Sequence, residues 1–229
     1  MALNTASSTN RRTCQVIDLG LCSYAKAYAL QKELVESKIK GSHSDTLLLV
    51  EHPPVITFGR RGNLENLRVS PEYLESMGIE VLHIDRGGDV TYHGPGQLVG
   101  YPILDLKAHK QDVDWILRKL EAALIASLKR MEVDAYAVPG LTGVWTRAGK
   151  IAAIGIGIKQ WVTFHGFALN VIPMMKHFDL IIPCGLKGKP VTCLRDALGR
   201  APDMDEVKRH VVDAFCETFT LERLDGCAM

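Results

Sequence analysis

The sequence has almost no net charge. Its 27 Lys and Arg against 26 Asp and Glu leave +1 over 229 residues, so no overall field favours nucleic acid or a membrane surface as the main partner. Long apolar runs are also missing, and none reaches the roughly eighteen residues of a membrane span. The opening stretch MALNTASSTNRR has no apolar core of the signal-peptide kind. That points to a reducing cytoplasm, although its Ser, Thr and Arg content also suits the remnant of a transit sequence. Six cysteines (Cys14, Cys22, Cys184, Cys193, Cys216, Cys227) lie far apart with no CxxC, which argues against a disulfide scaffold or a zinc ribbon. There is no HExxH and no tight His/Asp/Cys cluster, so no metal is expected.

What is present is an ordinary globular composition, 47% hydrophobic and 23% charged, in a chain long enough to bury one real core. Strand patterns fall at 14–20, 46–52, 55–59, 80–86, 98–106, within 135–160 and at 162–172. RAGK (147–150) suits the turn of a hairpin. Helical patterns fall at 23–39, at 70–78 (Ser70 as cap, Pro71 in the first turn), at 112–131, at 191–199 and at 203–220. In the last, Met204, Val207, Val211, Phe215 and Phe219 form an apolar stripe, read as a core face. Strands and helices do not alternate strictly, which predicts an α+β fold with helices packed on a mixed or mainly antiparallel sheet. One domain over 14–229 is expected after a flexible lead-in, 1–13, with room for a small C-terminal lobe from about 183. The tail LERLDGCAM adds little.

Four features invite chemistry. RGGDVTYHGPGQLVGYPIL (86–104) is rich in glycine and proline yet carries Arg86, Tyr92 and His93. It lacks the Lys-Ser/Thr of a phosphate loop. It reads either as backbone wrapped around a ligand or as two adjacent tight turns. In AAIGIGIK (152–159), Ala153, Gly155 and Gly157 share one strand face, and such a face needs a close neighbour: a helix, or a slender acyl chain. Cys184 sits in a rigid Pro-Cys-Gly turn, and as a nucleophile it would need a cationic neighbour. Lys150, His93 and His165 are the basic candidates, the histidines more simply as hydrogen-bonding residues. Between Lys176 and Arg200 basic residues predominate, as a small acidic partner or merely a solvated face would have it. These residues alone do not yield a reaction.

RGGDVTYHGPGQLVGYPI, GKIAAIGIGIKQWVTFHGFALNV and PCG closely resemble, in order, the signature blocks of the lipoyl(octanoyl) transferases of lipoate biosynthesis. The resemblance spans about residues 50 to 200. It implies the fold of the biotin and lipoate protein ligases, a mixed sheet flanked by helices. By the same likeness Cys184 matches the family's cysteine and Lys150 its lysine. The ligand-contacting blocks fall on Arg86, Gly87, Gly88, Asp89, Val90, Thr91, Tyr92 and His93, on Ala153, Ile154 and Gly155, and on Gly166, Phe167 and Ala168. The reaction implied takes octanoyl from acyl carrier protein to Cys184 as a thioester, with Lys150 moving the proton. The chain then passes to a lysine of an apo lipoyl domain, in 2-oxoacid dehydrogenase complexes or the glycine cleavage H protein. No cofactor is implied. Three rivals rank lower: an ATP-dependent ligase on the same fold, which needs no cysteine nucleophile where Cys184 stands; an amidotransferase, whose signature blocks look different; and a non-catalytic binding module, against which the retained Cys184 and Lys150 argue.

Overall fold

The computed structural model describes residues 12–41, 44–183 and 188–224. Residues 1–11 of the expected lead-in and Cys184 itself lie outside the described residues, whereas Arg12 and Thr13, the last two of that lead-in, already belong to a strand. At the centre is DTLLLVE, β2 (Asp45–Glu51), whose Leu47 and Leu49 face one side and Leu48 and Val50 the other, all fully buried. A strand covered on both faces needs a continuous apolar run rather than alternation, and this one has it.

Around β2 the chain lays down β1 (Arg12–Leu21) and α1 (Tyr24–Ile39), then β3 (Val55–Phe58), α2 (Pro71–Ser76), β4 (Glu80–His83), β5 (Val90–His93) and β6 (Gln97–Ile103). There follow α3 (Val113–Arg130), β7 (Tyr136–Val138), β8 (Leu141–Thr146), β9 (Gly149–Lys159), β10 (Val162–Asn170), α4 (Leu194–Leu198), α5 (Met204–Phe219) and β11 (Leu221–Arg223). The helix starts follow capping chemistry. Ser70, Asp112 and Asp203 each accept a backbone N–H from the first turn.

Eight strands form one sheet in the order β11-β1-β2-β6-β10-β9-β8-β7, and β4-β3-β5 form a second. β1 runs parallel to both β11 and β2, and the remaining large-sheet pairs are antiparallel. α3 and α5 cover one face, with Leu120, Leu124, Val211 and Phe215 in a single core with Leu47 and Leu169. On the opposite face α1 covers Leu48, Val99 and Ala168. The expected mixed sheet flanked by helices is therefore what forms. No helix among the described residues is long and apolar enough to cross a membrane.

Three local readings are corrected. The tail is not idle: Leu221–Arg223 adds an edge strand parallel to β1. The segment 191–199 is helical only over Leu194–Leu198, because Cys193 is extended and Gly199 turns left-handed at φ +68. Within the glycine-rich stretch, Val90–His93 is a strand paired antiparallel with β3. Four residues between glycines are too few for a period-two signal, so only tertiary pairing reveals it.

Candidate active site

On the α1 face of the large sheet the side chains run short. Ala153 pairs with Ala168 and Gly155 with Gly166 across β9 and β10. Small residues leave a trough there, and the RGG loop lies over it. The Gly87 amide donates to the Ile156 carbonyl at 2.8 Å. A Cβ on Gly155 would stand 2.7 Å from the Gly87 carbonyl oxygen, and one on Gly166 only 2.1 Å from the Gly100 carbonyl. Backbone atoms of a paired strand cannot yield as a flexible side chain can. Gly166→Ala is therefore expected to lose about 1–3 kcal/mol of stability or more, read as a lower urea midpoint; an unchanged midpoint would refute the close approach.

The space between loop and trough is a narrow cavity of about 50 Å³. Of the residues matched by resemblance, Arg86, Gly87, Gly88, Thr91, His93, Ala153, Ile154, Gly155, Gly166, Phe167 and Ala168 line it. Period two along β5 separates the rest. Thr91 and His93 face the cavity, whereas Val90 and Tyr92 point into the core between the small sheet and Phe178. Asp89 turns outward to accept from the Asn63 amide at 3.0 Å and from the Asn66 side chain, pinning the 63–66 turn. Gly157 does not border the cavity; the Phe164 ring lies where its Cβ would be. The ligand-contacting residues carried over by resemblance left out Tyr24, Val99, Tyr101 and His165, which complete the walls. Tyr24 and Tyr28, one helical turn apart on α1, are the sequence signal that aromatic side chains reach this face.

Polar groups under the loop are paired in one consistent direction. Arg86, buried, donates through Nη2 to the Thr57 carbonyl at 2.7 Å and through Nη1 to Gly87 at 3.0 Å, which holds the loop. Gln97 Nε2 donates to Asn170 Oδ1 at 2.8 Å and to the Tyr92 carbonyl at 3.2 Å. Its oxygen is left to accept from His93 Nδ1 at 2.6 Å. His93 is then neutral with a bare Nε2. Burial first, then nearby His52, push its pKa down to about 3. His52 donates from Nδ1 to the Cys22 carbonyl at 2.7 Å, and its Nε2 accepts from Tyr101 at 2.8 Å. Burial lowers it to about 4. His165, at φ +53, donates to Asp85 at 2.8 Å and accepts from Tyr24 at 3.2 Å, and burial lowers it to about 4 as well. Burial works against the Asp85 carboxylate, but bonds from His165 and Tyr28 hold its pKa below the usual value.

Lys150 stands at one end of the trough. Its side chain is buried, with Nζ 5.5 Å from the Trp145 ring centre. Gly143, at φ +128, makes room for it: a Cβ there would come within 2.4 Å of Lys150 Cε. Lys150 lines a cleft of about 410 Å³ with Arg61 and Asp89, and that cleft shares Gly88 and Ile154 with the trough. The backbone of Lys150 is tied to a later segment. Its N–H donates to Pro190 at 2.9 Å, and its carbonyl accepts from Thr192 at 3.0 Å. Two residues before Cys184, Ile182 donates to the Asn66 carbonyl at 2.8 Å. Pro183 and Gly188, the described residues flanking 184–187, both line a neighbouring cleft of about 440 Å³ with Arg68, Lys176 and Lys189.

The described residues thus enclose an apolar trough walled by two sheets, with a buried lysine at one end. Residues 23–216 match the model of the lipoyl protein ligase A/B catalytic domain. Octanoyltransferases from Solibacter usitatus and Nostoc sp. are 49% and 46% identical to this chain, covering 95% and 93% of it and 98% and 95% of themselves. A bi-partite lipoate protein ligase from Thermoplasma acidophilum superposes with a TM-score of 0.73 at 16% identity, over 96% of this chain and 88% of that one. A lipoate-protein ligase A bound with ATP gives 0.68 at 16% identity, over 96% and 90%. These structures share the fold.

The chain belongs to the lipoyl protein ligase A/B catalytic domain family. Within it the chain sides with the octanoyltransferases over nearly its whole length, and its activity is octanoyl transfer in lipoate biosynthesis.

Proposed function

We propose that the octanoyl group arrives as a thioester on acyl carrier protein, rests on Cys184 and leaves for the lysine of an apo lipoyl domain, with Lys150 moving the protons. In the first half, Lys150 takes the Cys184 proton and the sulfur attacks the acyl carbonyl. The carbon–sulfur bond to the carrier breaks, and the ammonium of Lys150 returns the proton to the departing thiol. In the second half, the acceptor amine attacks the enzyme thioester and gives up a proton. Cys184 leaves as thiolate, and an amide remains. Neither half consumes ATP. Arg86, through its bonds to Thr57 and Gly87, holds the loop that covers the chain, and His93 orients the loop rather than acting as base. The free thiols among the described residues accord with a reducing cytoplasm.

The observation that carries this reading is the fastening of Lys150. Residues 190 and 192 are bonded to its own backbone, so the lysine is fastened to the chain six residues after Cys184 in sequence. The test is an intact mass of the protein mixed with octanoyl-acyl carrier protein, without ATP or acceptor. The expected adduct is one octanoyl group, removed by hydroxylamine, absent in Cys184→Ser and discharged by apo lipoyl domain. Transfer that requires free octanoate and ATP would overturn the reading in favour of a ligase.

A further inference from the structure

Beyond His165 the trough stops, but the two strands beneath it continue into a second cavity. Along β10, Ala168, Gly166 and His165 line the first cavity, and the next residue, Phe164, lines the second, of about 150 Å³. Along β9 the order is the same: Ala153 and Gly155 belong to the first, and Lys159 to the second. Phe164 covers Gly157, so it floors the second cavity directly past the end of the trough. Tyr28, Lys32, Val35, Glu36 and Asp85 supply its other walls, with Glu36 paired to Lys159 at the rim.

What divides the two cavities is one layer of side chains. The His165 ring stacks on Tyr28, with centroids 5.3 Å apart and planes 13° off parallel. Both are tied to Asp85, His165 at 2.8 Å and Tyr28 at 2.7 Å. Lys150 stands at the opposite end of the trough, so this layer lies where the methyl end of a chain anchored beside Lys150 arrives.

Resting on the acyl-enzyme reading above, we infer that the His165–Tyr28 stack, locked by Asp85, is the wall that limits acyl length. The space behind it would accept the extra carbons of a longer chain once the wall is removed. The wall is polar where it is tied and aromatic where it faces the trough. A terminal methyl packs on its face, but a longer chain must break two hydrogen bonds to a carboxylate to pass. That penalty exceeds what the gain of one methylene offsets, which gives a sharper cut-off than a greasy wall.

The test loads the protein from an equimolar mixture of octanoyl-, decanoyl- and dodecanoyl-acyl carrier protein and reads adduct masses. Two variants open the wall from opposite sides. His165→Gly suits the left-handed backbone at that position, and Tyr28→Ala alters only a partly buried helix residue. Both are expected to raise the dodecanoyl-to-octanoyl ratio at least about tenfold. If His165→Gly does not fold, Tyr28→Ala decides. An unchanged ratio in folded variants that still load octanoyl overturns the inference. Should the wild type accept no acyl group from any carrier, the acyl-enzyme reading fails by itself. The ratio of octanoic to dodecanoic acid affinity, measured by calorimetry on the same proteins, then judges the wall. A shift toward dodecanoic acid supports it, and no shift overturns it.

Discussion

Replacing Lys150 with methionine is expected to slow octanoyl loading by about 10²–10⁴-fold near neutral pH, the usual scale for losing a positioned proton acceptor. The side chain is buried in the room that Gly143 leaves, and methionine fills that room without clash, so folding should survive. A cysteine thiol with no basic partner ionises at about pH 8.5. Its thiolate fraction then rises about tenfold for each pH unit below that value. The loading defect should therefore shrink as pH rises from 6 to 8.5. The discharge step, which needs a proton acceptor for the incoming amine, should stay slow. Loading followed by intact mass and discharge onto an apo lipoyl domain separate the two. A defect that is equal in both halves and flat with pH would mean that Lys150 only positions substrate. Arginine in its place keeps the charge but cannot accept a proton, and should restore loading more than discharge.

Much of this site was legible because its function is carried by backbone and small side chains. Glycines at 155 and 166 have to be glycine, since backbone oxygens stand 2.7 and 2.1 Å from where a Cβ would be, and Gly88 holds a left-handed φ of +91; a chain under such constraint shows it in composition. Period two along 152–157 also placed Ala153 and Gly155 on one face correctly. The same rule, applied to VTYH once its strand was known, would have turned Val90 and Tyr92 away from the trough.

The rest depended on distance in the chain. Tyr24 reaches the site from a helix 62 residues before the RGG loop (86 less 24); the Tyr24/Tyr28 spacing marks an aromatic helix face but not what that face meets. His165 read as one hydrogen-bonding histidine. Its meaning comes from Asp85, Tyr24 and Tyr28, none of which is near it in sequence. Gly157 was over-read. A glycine strand face requires a close neighbour, but the rule does not say whether that neighbour is a ligand or, as here, the Phe164 ring.

The buried histidines make a second large effect, on stability. His52, His93 and His165 have pKa values of about 4, 3 and 4 in the folded protein, against about 6.5 in an unfolded chain. All three are lowered, first by burial, so the folded state resists protons that the unfolded state accepts. Their stabilising contribution is complete above about pH 6.5 and is lost as pH falls toward 4. At pH 5 each would have given up about 2 kcal/mol, or on the order of 6 kcal/mol together. A domain of this kind has only about 5–15 kcal/mol in total. Urea unfolding between pH 7 and 5 should therefore show a steep fall, approaching three protons taken up on unfolding. His52 lies outside the trough walls and holds Tyr101 by a single bond, so His52→Gln should reduce the uptake by about one proton. An uptake below one proton in the wild type would mean that these histidines charge within the folded protein. The network of His93, Gln97 and Asn170 would keep its direction, since a protonated His93 still donates from Nδ1 to Gln97, but its Nε2 would then face the trough as a second donor.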